Sequence, residues 1–371
     1  MADENHPAHL SPSELGTKNY WETYYARTLT HLSSQHQPNA RPTPTADSSD
    51  PESESESGSV DDDSDPGTSW FSEHNAPEKV LGFLTNKNFP LAPCNTLPAA
   101  AAASAKTKTK TKKALSDEER RRQPSILDLG TGNGSMLALL RKRGGFRGVM
   151  VGVDYSARSV ELARELQRLK IHSAYLSGSD SDGEEEEEEE EEEDVVVSNG
   201  AETAQAVPVP GEDKEMEIRF EEWDILNSEG ELGEEGRLDW FPYARGGFDI
   251  VLDKGTFDAV SLSEEVVVEE QREGNEAAAS AEASAGGKVI QRRVCERYPG
   301  IARRLVRKGG FLVVTSCNWT EEELVRWFTG EEAKGSGSDR LEVWGRVAYP
   351  KFRFGGQEGQ GVCTVCFQRV N

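Results

Sequence analysis

Short apolar runs recur along the second two-thirds of the chain, and most are followed by apolar residues at helical spacing. Ile126, Leu127 and Leu129 predict a short buried strand, and residues 136–140 open the helix behind it. Residues 148–154 predict a second strand ending on Asp154. Ser156 then caps a helix over 157–169, with Val160, Leu162, Ala163 and Leu166 turned inward. Residues 217–226 read as a third strand, with Trp223, Asp224 and Ile225 just past its end. Ile250, Val251 and Leu252 centre a fourth strand that leaves through a turn at 253–258. A helix over 291–306 is expected to lead through Gly309 and Gly310 into a fifth strand at 311–316. Thr320 and Glu323 form a capping box for a helix bearing Leu324, Trp327 and Phe328. Residues 341–347 and 361–369 read as strands six and seven.

Strands separated by helices predict a parallel α/β sheet. Only the loop 349–356 joins the last two strands, and a parallel pair needs a longer crossover, so strand seven is expected to run antiparallel. The expected fold class is α/β: seven strands, mostly parallel with an antiparallel last strand, and helices on both faces.

The first third of the chain breaks this rhythm. Residues 1–13 read as a disordered lead, and 14–32 as a segment built on an aromatic helix with a cap at Thr17. Tyr20, Trp21, Tyr24, Tyr25 and Thr28 share one face of that helix. Such a stripe fits a core-facing surface or a lid over a ligand, with Trp21 or Tyr25 against it. Residues 33–67 are rich in Ser, Pro and acids and bury too little to offset their ordering entropy. Trp70, Phe71 and a helix from about residue 78 restore order over 68–94, which is expected to pack on the core. Residues 95–123, with Ala runs and Lys-Thr repeats, read as a basic linker in preference to a nuclear address. The core domain then spans 124–371, interrupted by insertions at 177–214 and 264–287.

Charge changes the picture less than its total suggests. Residues 47–65 carry 9 acids and 180–194 carry 13, neither with a base, so only −3 of the net −25 belongs to the rest of the chain. A chain without a net basic balance is a poor binder of phosphate backbones, so no direct nucleic-acid partner is expected. No apolar run approaches bilayer length, and residues 1–15 lack the apolar region of a secretory signal, so no membrane partner is expected either. The 5 cysteines are too scattered for a disulfide framework, which fits a reducing compartment. Cys363 and Cys366 are three apart in a predicted strand and should face opposite ways, as packing residues and not as metal ligands.

The chemistry concentrates where the first strand ends. Gly130, Gly132 and Gly134 form a loop between strand and helix, a cradle in which backbone can approach a nucleotide cofactor closely. A dinucleotide fingerprint wants its third glycine one residue later, where Ser135 stands. Asp128, just before the loop, would repel a pyrophosphate. It suits a ligand with an ammonium and a sulfonium, which describes S-adenosyl-L-methionine (AdoMet). Asp154 has the spacing from the loop at which a strand-end acid accepts from ribose hydroxyls. Tyr155 is expected against the adenine. Asp224 would accept from the adenine amino group and the Ile225 N–H donate to a ring nitrogen, because ligands sit outside the carboxyl ends of such strands. The turn at 253–258 would then lie beside the sulfonium.

Taken together, Leu15 to Trp21, Trp70-Phe71, Asp128 to Gly134, Asp253 to Asp258 and Ser316 to Thr320 resemble the elongation-factor lysine methyltransferases, the fungal elongation factor methyltransferase 4 group and its animal counterpart. Ser72 departs from the glycine usual after Trp-Phe in that group. The resemblance implies a Rossmann-like, seven-strand (class I) methyltransferase fold and AdoMet-dependent methylation of a lysine on translation elongation factor 1-alpha. It further implies a monomer, located in the cytoplasm with a reach into the nucleus. On that reading Asp253 or Asp258 orients the acceptor amine and takes up its proton, Phe257 walls the channel, and Lys254 belongs to an ion pair. Asp253 has the alternative of holding the methionine moiety through its backbone. A Lys-Gly-Thr turn also occurs in relatives that modify protein N-termini. An N-terminal acceptor, a small-molecule acceptor and a non-catalytic AdoMet-binding adaptor therefore stay open.

Overall fold

The computed structural model describes residues 7–35, 66, 71, 74–98, 118–119, 122–175, 217–270, 289–354 and 357–371. Both long acidic runs, the Lys-Thr repeats, Trp70 and Ser72 lie outside these residues.

Seven strands make one sheet. β1 (Ile126–Leu129), β2 (Met150–Asp154), β3 (Arg219–Glu222) and β4 (Phe248–Lys254) precede a small ribbon of β5 (Val266–Glu270) and β6 (Val289–Arg293). β7 (Val306–Ser316) and β8 (Arg340–Val347) follow. A second ribbon, β9 (Phe352–Phe354) and β10 (Gln357–Gly359), comes before β11 (Cys363–Val370). The main sheet runs β3-β2-β1-β4-β7-β11-β8. β1, β2, β3, β4 and β7 are parallel, and β11 slots antiparallel between β7 and β8. This is the mostly parallel seven-strand sheet expected from the sequence. Leu129 pairs with Val153 on one side and Asp253 on the other, so β1, β2 and β4 end level and their next residues emerge at one edge.

Alternation along each strand divides the core. Leu127, Leu129, Val151 and Val153 pack on one face with Ile301, Leu305, Leu324 and Phe328. Ile126, Met150, Ile250 and Leu252 pack on the other with Val80, Leu84, Met136, Leu140 and Val160. The helices around the sheet are α1 (Lys18–Gln35), α2 (Ala76–Thr85), the short α3 (Pro93–Thr96) and α4 (Ser135–Lys142). After them come α5 (Ala157–Leu169), α6 (Thr256–Ser261), α7 (Tyr298–Leu305) and α8 (Glu321–Thr329). The expected caps are in place. The Ser156 hydroxyl accepts from the Ser159 N–H at 3.2 Å, and Thr320 and Glu323 complete a capping box on α8. Cys363 and Cys366 are both buried and belong to the two different core faces.

Several boundaries differ from the sequence reading. The helix expected over 291–306 is only α7, because Pro299 tolerates the first helical turn but not an interior position. Residues 289–293 instead form β6, whose Arg293 pairs with Val266 of β5. Ordered backbone therefore extends into 264–287, which was expected to be a disordered insertion. The loop expected at 349–356 holds the β9–β10 ribbon. α1 starts at Lys18, with Thr17 accepting from the Tyr20 N–H at 3.4 Å, and runs on past residue 32 to Gln35.

Candidate active site

The loops leaving β1, β2, β3 and β4 converge with α1 around a cavity of about 250 Å³. Its floor is the glycine loop. Gly130, Gly132 and Gly134 all have positive φ, between 58° and 74°. At two of them a side chain would also collide: a Cβ on Gly130 would stand 2.2 Å from the Thr256 hydroxyl, and one on Gly134 2.6 Å from the Phe220 ring. At Gly132 a Cβ would meet only the Tyr25 hydroxyl, at 3.0 Å, so this glycine keeps open the gap between loop and α1. Gly130 and Gly132 line the cavity; Gly134 packs behind it.

Asp154 stands in the wall at the tip of β2. It accepts from the Gly132 N–H (3.1 Å), the Ser156 N–H (3.0 Å) and the Ser159 hydroxyl (2.7 Å), which fixes both oxygens. Burial raises its pKa, and those three donors oppose the rise. Asp224, past β3, also lines the cavity. It holds its own turn by accepting from the Leu226 N–H at 3.0 Å and the Asn227 side-chain amide at 2.8 Å. Ile225 and Tyr155 line the same cavity. Trp21 lines it from α1 and is anchored by its indole N–H, which donates to the Leu15 carbonyl at 2.9 Å. Tyr25 stacks on Trp21 with centroids 5.9 Å apart. α1 is clasped to the fold by Glu22, whose carboxylate accepts from the Ala157 N–H at the start of α5 at 2.8 Å.

Asp128 belongs to the same tip but sits one step behind the surface, 2% exposed, with the Thr131 hydroxyl donating to it at 2.9 Å. Burial pushes its pKa up to about 6, against the pull of the Lys254 charge. Of the three strand-end acids, Asp154 and Asp224 line the cavity, while Asp128 does not reach its wall.

The residues expected to carry the transfer lie elsewhere in this layer. Asp253 is 1% exposed and accepts from the Thr256 N–H (2.9 Å), the Phe257 N–H (3.2 Å) and the Tyr298 hydroxyl (2.7 Å). Burial pushes its pKa up to about 7. Asp258 is fully buried and holds the turn after β7, accepting from the Ser316 hydroxyl and from the Cys317 N–H at 2.9 Å. Phe257 packs among Tyr298, Trp319, Trp327 and Phe328. None of these three lines the cavity; from this turn Lys254, Gly255 and Thr256 do. The Thr256 hydroxyl donates to the Leu129 carbonyl at 2.6 Å and ties the β4 exit to the β1 exit.

Phe71, Lys18, Asn133 and Lys254 complete wall positions that sequence reasoning did not assign to the site. Phe71 comes from a distant segment, and a Cβ on Gly255 would stand 2.7 Å from its ring, so Gly255 is what admits it. The pairing of Trp70-Phe71 with the turn at 253–258 in one family resemblance was the available signal for that contact. Among the described residues no cluster of side chains suits a metal ion, and no helix is long and apolar enough to cross a membrane.

The cavity fits AdoMet on its own chemistry. It joins a glycine-rich floor, two wall carboxylates, aromatic rings and a third acid behind the loop, a set suited to hydroxyls, an adenine and positive charge.

Comparison with known proteins agrees with the geometry. Residues 121–217 match a family described as a methyltransferase domain. Protein-lysine N-methyltransferase EFM4 of Saccharomyces cerevisiae is 29% identical over 364 residues, 98% of this chain and 98% of that protein. Human EEF1A lysine methyltransferase 2 is 23% identical over 359 residues, 97% of this chain and 88% of the relative. Protein-lysine N-methyltransferase efm4 of Schizosaccharomyces pombe is 23% identical over 363 residues, 97% and 95% of the two chains. With its sheet in this order and this likeness running nearly its whole length, the chain carries the class I methyltransferase fold and is related to the fungal EFM4 and animal EEF1A lysine methyltransferase 2 enzymes.

Proposed function

We propose that the protein is an AdoMet-dependent protein-lysine N-methyltransferase whose substrate is translation elongation factor 1-alpha. The observation that carries this reading is near full-length likeness to relatives from fungi and animals, those from human, zebrafish and mouse being named EEF1A lysine methyltransferases. The cradle supports the cofactor half of the reading independently of those names.

Bound AdoMet supplies a methyl group already activated by the sulfonium. The protein therefore has to hold two partners in alignment, and alignment is where most of the rate comes from. Asp154 receives the ribose hydroxyls, Tyr155 and Ile225 flank the adenine, and Asp224 receives its amino group. Asp128 sets a negative potential under the loop. The acceptor lysine must lose a proton from an ordinary pKa of about 10.4. Desolvation between Phe71 and the aromatic face of α1 lowers that value. Asp253 and Asp258 act as positioning residues: Asp253 holds the first turn of α6 beside the wall residues 254–256, and Asp258 holds the turn after β7.

The test is incubation of the full chain with methyl-labelled AdoMet and a cell extract, followed by purified elongation factor. A labelled band at the size of the elongation factor, lost when its lysines are blocked, is the expected result. Label on the factor's N-terminus, label in the small-molecule fraction, or no label would each overturn the acceptor assignment.

A further inference from the structure

Tyr25 is a wall residue whose hydroxyl has no task in the reading above. Its side chain is 8% exposed and lines the cavity from α1, one helical turn after Trp21. The ring is held from two sides: Trp21 stacks on it with centroids 5.9 Å apart, and Tyr24 meets it edge-on at 5.2 Å. This packing sets the hydroxyl over the glycine loop, where a Cβ on Gly132 would stand 3.0 Å from it. A ligand atom resting on Gly132 would thus lie at hydrogen-bonding distance from the phenol. Among the described residues no protein group makes a hydrogen bond to this hydroxyl.

A secluded hydroxyl without a protein partner is costly, so a ligand atom that meets it is favoured. Burial, and after it the charge of Asp154, raises the phenol pKa well above its ordinary value, so the hydroxyl keeps its proton and is a donor. AdoMet offers it three kinds of acceptor: the carboxylate, the adenine ring nitrogens and the ribose hydroxyls. The acids whose charge bears on this hydroxyl are Asp154 and Asp128, and both would repel a carboxylate brought to it. The ring nitrogens are met by the Ile225 N–H in the reading above. A ribose hydroxyl fits, because it can donate to Asp154 while it accepts from Tyr25. Asp154 is ready for that donor: its Oδ2 accepts from the Gly132 N–H and the Ser159 hydroxyl, whereas its Oδ1 accepts from the Ser156 N–H and keeps a second lone pair. We propose that the Tyr25 hydroxyl is a ribose-binding group, donating to the sugar hydroxyl that itself donates to Asp154. α1 then holds the sugar from above the loop, and Asp154 holds it from the tip of β2. The inference rests on the AdoMet reading of the cavity and deepens it.

Tyr25→Phe removes the hydroxyl alone. Calorimetry of the full chain with AdoMet, its 2′-deoxy and 3′-deoxy analogues and decarboxylated AdoMet tests the proposal, with displacement of labelled AdoMet reading the weaker ligands. The variant should bind AdoMet and decarboxylated AdoMet more weakly than wild type by the same factor, roughly three- to tenfold. With at least one deoxy ligand the two proteins should differ by less than about twofold, because the atom that Tyr25 meets is gone. Ligand-free Tyr25→Phe should unfold at or above the wild-type temperature, because the hydroxyl has no protein partner to lose. An equal loss with all four ligands would overturn the proposal, and so would no loss with AdoMet. A loss that disappears with decarboxylated AdoMet would make the phenol a carboxylate subsite instead. A ligand-free variant that unfolds several degrees early would make the hydroxyl a structural group, again overturning the proposal. A wild type that binds none of the four ligands would remove the AdoMet reading itself.

Discussion

Asp154 and Asp253 close neighbouring positions at the same sheet edge, both are buried, and each is followed closely by a helix, yet only Asp154 faces the cavity. The difference lies in what stands between acid and helix. Behind Asp154 comes Ser156, whose hydroxyl caps α5, and Glu22 from α1 takes the Ala157 N–H. With those donors met, Asp154 can hold Gly132 and still present an edge to the ligand. Behind Asp253 comes Gly255, with φ +82° and no side chain to cap α6. The first free amides of that helix turn to Asp253 instead, and Tyr298 claims its second oxygen. A strand-end acid thus reaches a ligand when the next helix has its own cap, and becomes the cap when it has none.

The largest effect expected from this comparison comes from the floor beneath both acids. Gly132→Arg forces a side chain onto a backbone at φ +58° and into the gap under Tyr25. Detectable AdoMet binding should vanish in calorimetry, while circular dichroism stays that of a folded protein. Normal binding would mean the ligand does not lie over the loop.

Next come the two acids themselves, which should fail in opposite ways. Asp154→Ala removes acceptors for ribose hydroxyls, each charge-assisted bond being worth about 1.5–3 kcal/mol, and should weaken AdoMet by roughly a hundredfold. Asp253→Ala strands two helix amides and a tyrosine hydroxyl, and should cost about 3 kcal/mol of folding stability by urea titration. Its effect on AdoMet affinity per folded molecule should be smaller than that of Asp154→Ala. If Asp253→Ala is the worse binder and the more stable protein, the assignment of roles is reversed.

Acidity gives a subtler way to separate them. Burial holds the Asp253 pKa up at about 7, above its ordinary value near 3.9. The folded chain therefore binds this proton more tightly than the unfolded chain does. Its contribution to stability is full below about pH 4 and is lost as the pH rises toward 7. The stability advantage of wild type over Asp253→Asn should accordingly be larger at pH 5 than at pH 8, read from urea midpoints. A pH-independent difference would place the carboxyl in a more polar setting than the fold describes.

How much of this was legible in advance follows the same line. The seven strands and the antiparallel last one could be read because buried runs, glycine turns and caps are local signals, as at Leu129, Gly132 and Ser156. Asp154, Tyr155, Asp224 and Ile225 could be brought to one cavity because strand ends meet at one edge in such a sheet. The direction of the Asp253 carboxylate could not be read, because it depends on a missing cap at Gly255 and on Tyr298, 45 positions away. Phe71 and Lys254 were hidden for a related reason: their meeting is made by tertiary approach through Gly255, which leaves no periodicity in the chain. Pro299 was visible, and a helix drawn through it should have been shortened on the sequence alone.

The smallest predicted effect probes the cap that leaves Asp154 available. Glu22 meets the positive end of α5 from outside, and its charge also raises the Asp154 pKa. Glu22→Gln keeps an acceptor for Ala157 and removes the charge, so stability should change by only about 0.5 kcal/mol. Two consequences should nonetheless be measurable. α1 also carries Trp21 and Tyr25 into the wall, so a looser clasp should speed AdoMet release two- to threefold, roughly what so small a free-energy change allows. With a negative neighbour gone, Asp154 should titrate lower, and AdoMet affinity should persist to lower pH than in wild type. Faster release with an unchanged pH profile would make Glu22 a mechanical clasp alone. An altered profile with unchanged release would make α1 a fixed wall whose acid tunes Asp154, and Glu22→Ala, which also frees the Ala157 N–H, would then draw Asp154 into the capping role that Asp253 already fills.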